Sequence, residues 1–240
     1  MDNSGYISLS RQVAMQRQLD VIANNMANMN TTAFRGENIL FEEYLVNTGS
    51  QKKASFVQDY GMLRDTREGE LRPTGHPLDL AISGKGFFQV DTPQGPRYSR
   101  NGQLRLDSGG QLVSNEGYPI LNDRKQPIVL SQADGTPTIS KDGTIATALG
   151  AKVARIQLVS FSNEQNMKKT EGSLYTTDEA PTPATNGALA QGMIESSNIA
   201  PVIEMTRMIE LSRTYQTAQK LLENDHDRLR KAVERLARVA

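Results

Sequence analysis

Two narrow apolar stripes at helical spacing, one near each end, most constrain what this chain of 240 residues can fold into. Glycine and proline are absent from positions 6 to 35, so nothing in that stretch breaks a helix. The spacing predicts a long N-terminal helix with one apolar face. The residues of this first stripe are Met15, Leu19, Ile22, Met26 and Met29.

The second stripe lies in the last 40 residues and repeats the same heptad spacing, interrupted only by Asp225. Asn198 can cap a helix here, and Pro201 suits a first helical turn. A stripe this narrow does not bury itself, so the sequence predicts that the two terminal helices pair as a coiled coil. The residues of the second stripe include Met208, Leu211, Tyr215, Ala218, Leu222 and Leu229.

Between the helices, apolar residues alternate with polar ones, which is typical of antiparallel strands. Leu80 and Ile82 alternate in one segment, and Phe88 and Val90 in the next. The dipeptides Asn101-Gly102 and Gly109-Gly110 predict hairpin turns. The predicted fold is α+β: long N- and C-terminal helices paired as a coiled coil, with an antiparallel β-rich middle domain. The predicted boundaries are a helix over 1–35, an extended connection over 36–70, the β-rich domain over 71–195 and a second helix over 196–240.

Composition argues against several classes of function. The 27 basic and 27 acidic residues balance, which gives no reason to expect nucleic acid or an anionic membrane as a partner. No apolar run approaches the roughly 20 residues that span a bilayer, and we expect no direct membrane insertion. Cysteine is absent, the two histidines have no ligand cluster around them, and no motif pairs two carboxylates. We therefore expect no enzymatic activity, no cofactor and no metal site.

An asparagine-rich stretch, "ANNMANMNTTAFRG" (23–36), follows the first stripe. It resembles a signature of bacterial flagellar rod and hook proteins, A-N-N-x-A-N-x-x-T-x-G-F-K, with Ala33 at the usual glycine and Arg35 at the usual lysine. "GELRPTGHPLDLAISGKGFFQV", "YSRNGQLRLDSGGQLVSNEGYPIL" and "ESSNIAPVIEMTRMIELSRTYQTAQKLL" resemble further segments of the same family, in the same order. The resemblance covers almost the whole chain.

The resemblance implies a non-enzymatic building block of the flagellar axial structure. Such subunits are exported through the flagellar type III apparatus without a cleaved signal, and the N-terminus "MDNSGYISLS" shows no such signal. They assemble helically in the basal-body rod, which crosses the periplasm, and transmit motor torque. The implied partners are proximal and distal rod subunits, copies of the same chain and the export apparatus.

Within the family, the opening segment is similar to the proximal-rod members, and a distal-rod subunit is the nearest alternative. A β-domain binding module dimerised by a coiled coil is a further alternative from another class.

The predicted assembly interface combines both stripes with the asparagine stretch. An amide donates and accepts hydrogen bonds at once and carries no charge to desolvate, which suits a face between subunits. We expect Asn25 and Asn28 to make hydrogen bonds that exist only in the assembled rod. The interface residues are Met15, Leu19, Ile22, Asn24, Asn25, Met26, Ala27, Asn28, Met29, Thr31, Phe34, Met208, Leu211, Tyr215, Ala218, Leu222 and Leu229.

Overall fold

The structure, a computed structural model, describes residues 3–47, 53–131 and 135–239. The chain divides into two compact units. The helical unit comprises Met1–Ala27, Glu37–Arg64 and Ala200–Ala240, and the β unit comprises Asn28–Gly36 and Asp65–Ile199.

The helical unit contains two α-helices and one long β-hairpin among its described residues. Its elements are α1 (Asn3–Ala27), β1 (Glu37–Asn47), β2 (Lys53–Arg64) and α2 (Pro201–Val239). β1 and β2 pair antiparallel, and the register shifts between Leu40 and Phe41. α1 packs against α2 and against both strands of the hairpin. The start of α2 at Pro201 agrees with the proline placed in the predicted first turn.

The prediction that the terminal helices pair as a coiled coil is wrong. The hairpin over 37–64 shares the surface of α1 with α2, so the helices are not each other's sole partner. The helices also differ in length, with 25 residues in α1 and 39 in α2. The heptad spacing of α1 runs only from Met15 to Met26 before the helix ends at Ala27. This is less than two full heptads, too short to specify a continuous coiled coil.

The β unit is built from short strands, and every strand pair in its described residues is antiparallel. A 3-10 turn spans Glu164–Asn166. The strands are β3 (Leu71–Pro73), β4 (Leu80–Ser83), β5 (Phe88–Thr92), β6 (Gly95–Ser99), β7 (Arg105–Leu106), β8 (Leu112–Val113), β9 (Thr138–Ile139), β10 (Thr144–Ala146), β11 (Lys152–Arg155), β12 (Val159–Ser160), β13 (Lys168–Lys169), β14 (Leu174–Thr176), β15 (Thr182–Pro183), β16 (Ala188–Gln191) and β17 (Met193–Glu195).

Strand pairing joins the two ends of the β unit. The last strands, β16 and β17, pair with the first, β4 and β3. The strands that come between β4 and β16 in the sequence include a four-stranded sheet in the order β13-β14-β6-β5 and a three-stranded sheet in the order β11-β10-β9. β12 pairs with β15, and β7 with β8. The segment that precedes α2 is therefore held in the β unit by ladder hydrogen bonds to residues 71–83.

The core of the β unit contains the alternating apolar residues of β4 and β5, and the intervening Ala81 and Gln89 are buried as well. Leu80 and Ile82 of β4 and Phe88 and Val90 of β5 have no exposed surface. A second cluster contains four aromatic rings, and its closest ring pair, Tyr98 and Phe161, meets edge to face at 4.7 Å between centroids. The members of this cluster are Phe87, Tyr98, Val159, Phe161, Met167 and Tyr175.

One of the two predicted hairpin turns is present. Gly109-Gly110 lies in the loop that joins the paired strands β7 and β8. Asn101-Gly102 does not join paired strands, because β6 pairs with β5 and β14. Gly102 instead accepts a hydrogen bond from Leu80 N at 2.9 Å. A Cβ at position 102 would lie 1.6 Å from the Leu80 carbonyl oxygen, so the glycine serves close packing of two backbones.

Matched leucine substitutions test the location of this core. Leu112 is fully buried, whereas Leu149 is 96% exposed. Leu112→Ala should lower the free energy of unfolding of the β unit by about 2–5 kcal/mol, because it removes buried contacts and leaves a cavity. Leu149→Ala should change it by less than about 0.5 kcal/mol. Urea unfolding followed by near-UV circular dichroism of the tyrosines measures both, and equal losses would contradict this core.

Candidate assembly site

The interface residues predicted on α1 divide into an internal and a surface set. Asn24 and Ala27 are exposed. Four apolar residues are buried or half-buried, and these are Met15, Leu19, Ile22 and Met26. Most of the apolar stripe of α1 is therefore used inside the helical unit.

Asn25 joins the end of α1 to the start of the hairpin. Its Nδ2 donates to Glu37 O at 2.9 Å, and its Oδ1 accepts from Glu37 N at 3.1 Å. Only 3% of the residue is exposed. The expectation that the hydrogen bonds of Asn25 exist only in the assembled rod is therefore wrong. A single amide satisfies both backbone groups of Glu37, which would otherwise be costly to bury.

Residues just beyond α1 form a compact turn in the β unit. Thr31 N donates to Asn28 O, and Thr31 Oγ1 donates to Asn28 Oδ1, both at 3.1 Å. Phe34 is buried, and the Lys169 ammonium lies 4.1 Å from the centre of its ring. Met29 is 37% exposed. Asn28 thus also has a partner within its own chain.

Ala33 adopts the left-handed conformation, with a φ of 56°. The family pattern has glycine at this position, and alanine keeps the same turn despite its Cβ. Ala33 N donates to Glu195 O at 2.7 Å, which fixes the turn against β17. A left-handed alanine costs about 1–2 kcal/mol relative to its ordinary conformation, so the surrounding contacts hold this residue in place.

A buried ion pair lies at the centre of the β unit. Arg100 Nε donates to Glu195 Oε2 at 2.7 Å, and each side chain is only 1% exposed. The remaining guanidinium nitrogens donate to backbone carbonyl oxygens at 2.9–3.1 Å, those of Ile82, Gly84 and Gly86. These bonds satisfy the buried charge and hold the loop after β4. Sequence reasoning missed the pair because 95 residues separate its members. One indication of the pair was present in the sequence, because Arg100 and Glu195 each lie in a segment that resembles the family.

Arg35 joins the asparagine stretch to the same carboxylate. Its Nη1 donates to Glu164 Oε2 at 2.9 Å, and its Nε lies 4.0 Å from Glu195 Oε1. Glu195 Oε1 also accepts from Gly69 N at 3.2 Å. Burial, together with the nearby positive charge of Arg100, lowers the pKa of Arg35. Glu195 thus serves two arginines and holds residues 33–36 to the β unit.

The predicted stripe on α2 is half-buried. Leu229 lies in α2, but its side chain is outside what the structure describes. The half-buried residues are Met208, Leu211, Tyr215, Ala218 and Leu222. These five residues of the stripe therefore lie on a partly covered face of α2.

A second apolar face at the start of α2 was missed. Val202, Met205 and Ile209 are 76%, 51% and 48% exposed. Their spacing of i, i+3 and i+7 places them on one face of the helix, so the same periodicity test could have found them. Ile203 and Leu221 on α2, and Leu9 and Val13 on α1, are also large and exposed. The described part of the helical unit therefore leaves apolar surface uncovered.

The described residues contain no group of three or more histidine, aspartate or glutamate side chains placed to hold a metal ion. No helix within them is long and apolar enough to cross a membrane.

Three family profiles match the chain. "Flagella basal body rod protein" matches residues 6–35, "Flagellar hook protein FlgE/F/G D1 domain" matches residues 81–147, and "Flagellar basal body rod FlgEFG protein C-terminal" matches residues 190–235. The three profiles fall on α1 with its asparagine stretch, on the β unit, and on a segment that runs from β16 into α2.

Relatives match over the full or nearly full length. The flagellar basal-body rod protein FlgF of Caulobacter vibrioides is 39% identical over 250 residues, covering 100% of both chains. FlgF of Mesorhizobium japonicum is 36% identical over 92% of both chains. The rod protein FlgG of Bacillus subtilis is 31% identical over 97% of this chain and 98% of its own. The chain belongs to the flagellar basal-body rod protein family. It is a structural protein of the flagellar basal body, not an enzyme.

Replacing Ala33 by glycine tests the strained turn. Ala33→Gly should raise the free energy of unfolding of the β unit by about 1 kcal/mol, because glycine adopts a positive φ without steric cost. Ala184, whose φ is not positive, serves as the control, and Ala184→Gly should lower stability. Thermal unfolding measures both changes. A loss of stability in Ala33→Gly would show that the turn is not strained.

Neutralising Glu195 tests the buried ion network. Glu195→Gln should destabilise the β unit by about 3–5 kcal/mol, because two buried arginines lose their shared anion. The exposed Glu116 gives a matched control, and Glu116→Gln should change stability by less than about 0.5 kcal/mol. Urea denaturation at neutral pH measures both. Equal stability of the two variants would mean that the network contributes nothing.

Proposed function

We propose that this chain is a subunit of the proximal part of the rod. It assembles helically with other rod proteins and with copies of itself, and it transmits motor torque by stiff packing. Relatives named FlgF, at 36% and 39% identity over nearly all of the chain, support the proximal assignment.

The observation that carries the assembly role is the apolar face of Val202, Met205 and Ile209. These side chains are half to three-quarters exposed in the single chain. Burying a large aliphatic side chain is worth about 1.5–3 kcal/mol, so covering this face favours association. We propose that neighbouring subunits cover it, together with Leu9 and Val13 of α1.

The interface predicted from the sequence is part of the same proposal. Asn24, Ala27 and Met29 are exposed in the single chain. Asn25 contributes indirectly, by fixing the end of α1 to β1. The half-buried stripe on α2 meets neighbours along its uncovered edges.

The proposed partners are proximal and distal rod subunits and the flagellar type III export apparatus. We propose that the chain is exported without a cleaved signal and that the rod it enters crosses the periplasm. In this arrangement the helical segments within 1–35 and 196–240 form the wall of the rod.

The alternative is a distal-rod subunit, which the relatives named FlgG at 29–32% identity favour less strongly. Deletion of the gene, followed by electron microscopy of basal bodies, separates the two. The proximal role predicts that the rod is absent or stops near its base, whereas a rod that lacks only its distal part supports the alternative. Intact rods would contradict both.

A charge on the exposed apolar face tests the assembly surface. Ile209→Asp should abolish rod formation, because assembly would bury an unpaired carboxylate at a cost of several kcal/mol. The stability of the free chain should change little, since Ile209 is 48% exposed. Gln216→Asp, a charge at an exposed polar position of the same helix, should leave rods intact. Basal bodies with normal rods in the Ile209→Asp strain would exclude this face from the interface.

A further inference from the structure

Asn198 lies three residues before α2, and its side chain is fully used by other segments of the β unit. Its Oδ1 accepts from Gly36 N at 2.9 Å. Its Nδ2 donates to Asp65 O and to Arg67 O, both at 3.0 Å. Its backbone N donates to Phe34 O at 3.2 Å. One residue thus joins its own segment to two others, around Gly36 and around Asp65, that lie more than 130 residues earlier in the chain.

The same three segments are also joined directly. Asp65 N donates to Gly36 O, and Ser196 N donates to Glu70 O, each at 2.8 Å. Arg67 donates to the Asp65 carboxylate, and this hydrogen bond lowers the pKa of Asp65. Asn198 lies among these bonds and adds one acceptor and two donors to them.

Helix capping does not explain this placement. α2 begins at Pro201, and the amides of Ile203 and Glu204 donate to Ala200 O. The Asn198 amide is committed to Gly36, Asp65 and Arg67 instead. The sequence prediction that Asn198 caps the helix is therefore wrong.

The three segments have a common place in the topology. The chain passes between the two units at four points, which are after Ala27, after Gly36, before Asp65 and after Ile199, and the three segments adjoin the last three of these points. We propose that Asn198 is a clamp that holds these three segments together within the β unit, so that torque carried along one is shared with the other two. This inference rests on the proposed role in torque transmission.

Asparagine suits this position for a chemical reason. Its neutral amide offers two donor hydrogens and an acceptor in one plane. Aspartate keeps the acceptor for Gly36 N but has no donor for the two carbonyls. Alanine has neither. Comparing these two substitutions therefore separates the hydrogen bond accepted from Gly36 N from the two hydrogen bonds donated to Asp65 O and Arg67 O.

Hydrogen exchange on the full chain tests the clamp at amides that Asn198 does not itself bind. In Asn198→Ala, the amides of Asp65 and Ser196 should exchange at least about tenfold faster, because the segments that hold them separate more often. Amides of the core strand β5 should keep their protection. Asn115→Ala, at an exposed position of the same unit, should leave all of these amides unchanged.

Asn198→Asp gives a second readout. The Gly36 amide should stay protected, while the Asp65 and Ser196 amides exchange faster, as in Asn198→Ala. Unchanged exchange at both amides in both variants would overturn the clamp. Loss of protection throughout β5 in both variants would overturn it too, since Asn198 would then support the core rather than these three segments.

Strains that carry these variants link the clamp to torque. Asn198→Ala cells should build rods in normal number, but their swimming speed should fall more steeply with viscosity than that of wild-type cells. Normal swimming at every viscosity, or absent rods, would overturn the mechanical role. Intact rods in the gene deletion would instead overturn the proposed function, so the two failures are distinguishable.

Discussion

The buried carboxylate of Glu195 is the interaction on which the arrangement of this chain most depends. A charge with 1% exposure is stable only when paired and hydrogen-bonded, and Arg100, Arg35 and Gly69 N supply these partners. Residues 35, 69, 100 and 195 come from four distant parts of the sequence. The segment after α1 and the segment before α2 therefore meet in the β unit around one charge.

This arrangement has a consequence for assembly. The polar groups of the asparagine stretch are largely satisfied within the chain, by Glu37 for Asn25 and by Thr31 for Asn28. Apolar surface, by contrast, stays uncovered on α2 at Val202, Met205 and Ile209. The asparagines shape the subunit, and the exposed aliphatic side chains supply the proposed driving force for packing against neighbours.

Local periodicity predicted some features of the fold and missed others. It identified the buried residues Leu80, Ile82, Phe88 and Val90 and the proline at the start of α2, because these depend on spacing over a few residues. It did not predict the hairpin over 37–64, and so assigned the apolar stripes to a coiled coil. The ion pair of Arg100 with Glu195 and the contacts of Asn198 were also missed, since their partners are 95 or more residues away and no local pattern marks them.

The exposed apolar face of α2 is the proposed interface between subunits. An electron cryo-microscopy map of the assembled rod, at a resolution that shows side chains, tests this most directly. We expect Val202, Met205 and Ile209 to be buried against a neighbouring subunit. A map in which these three side chains face solvent, with contacts made only through the β unit, would contradict the account.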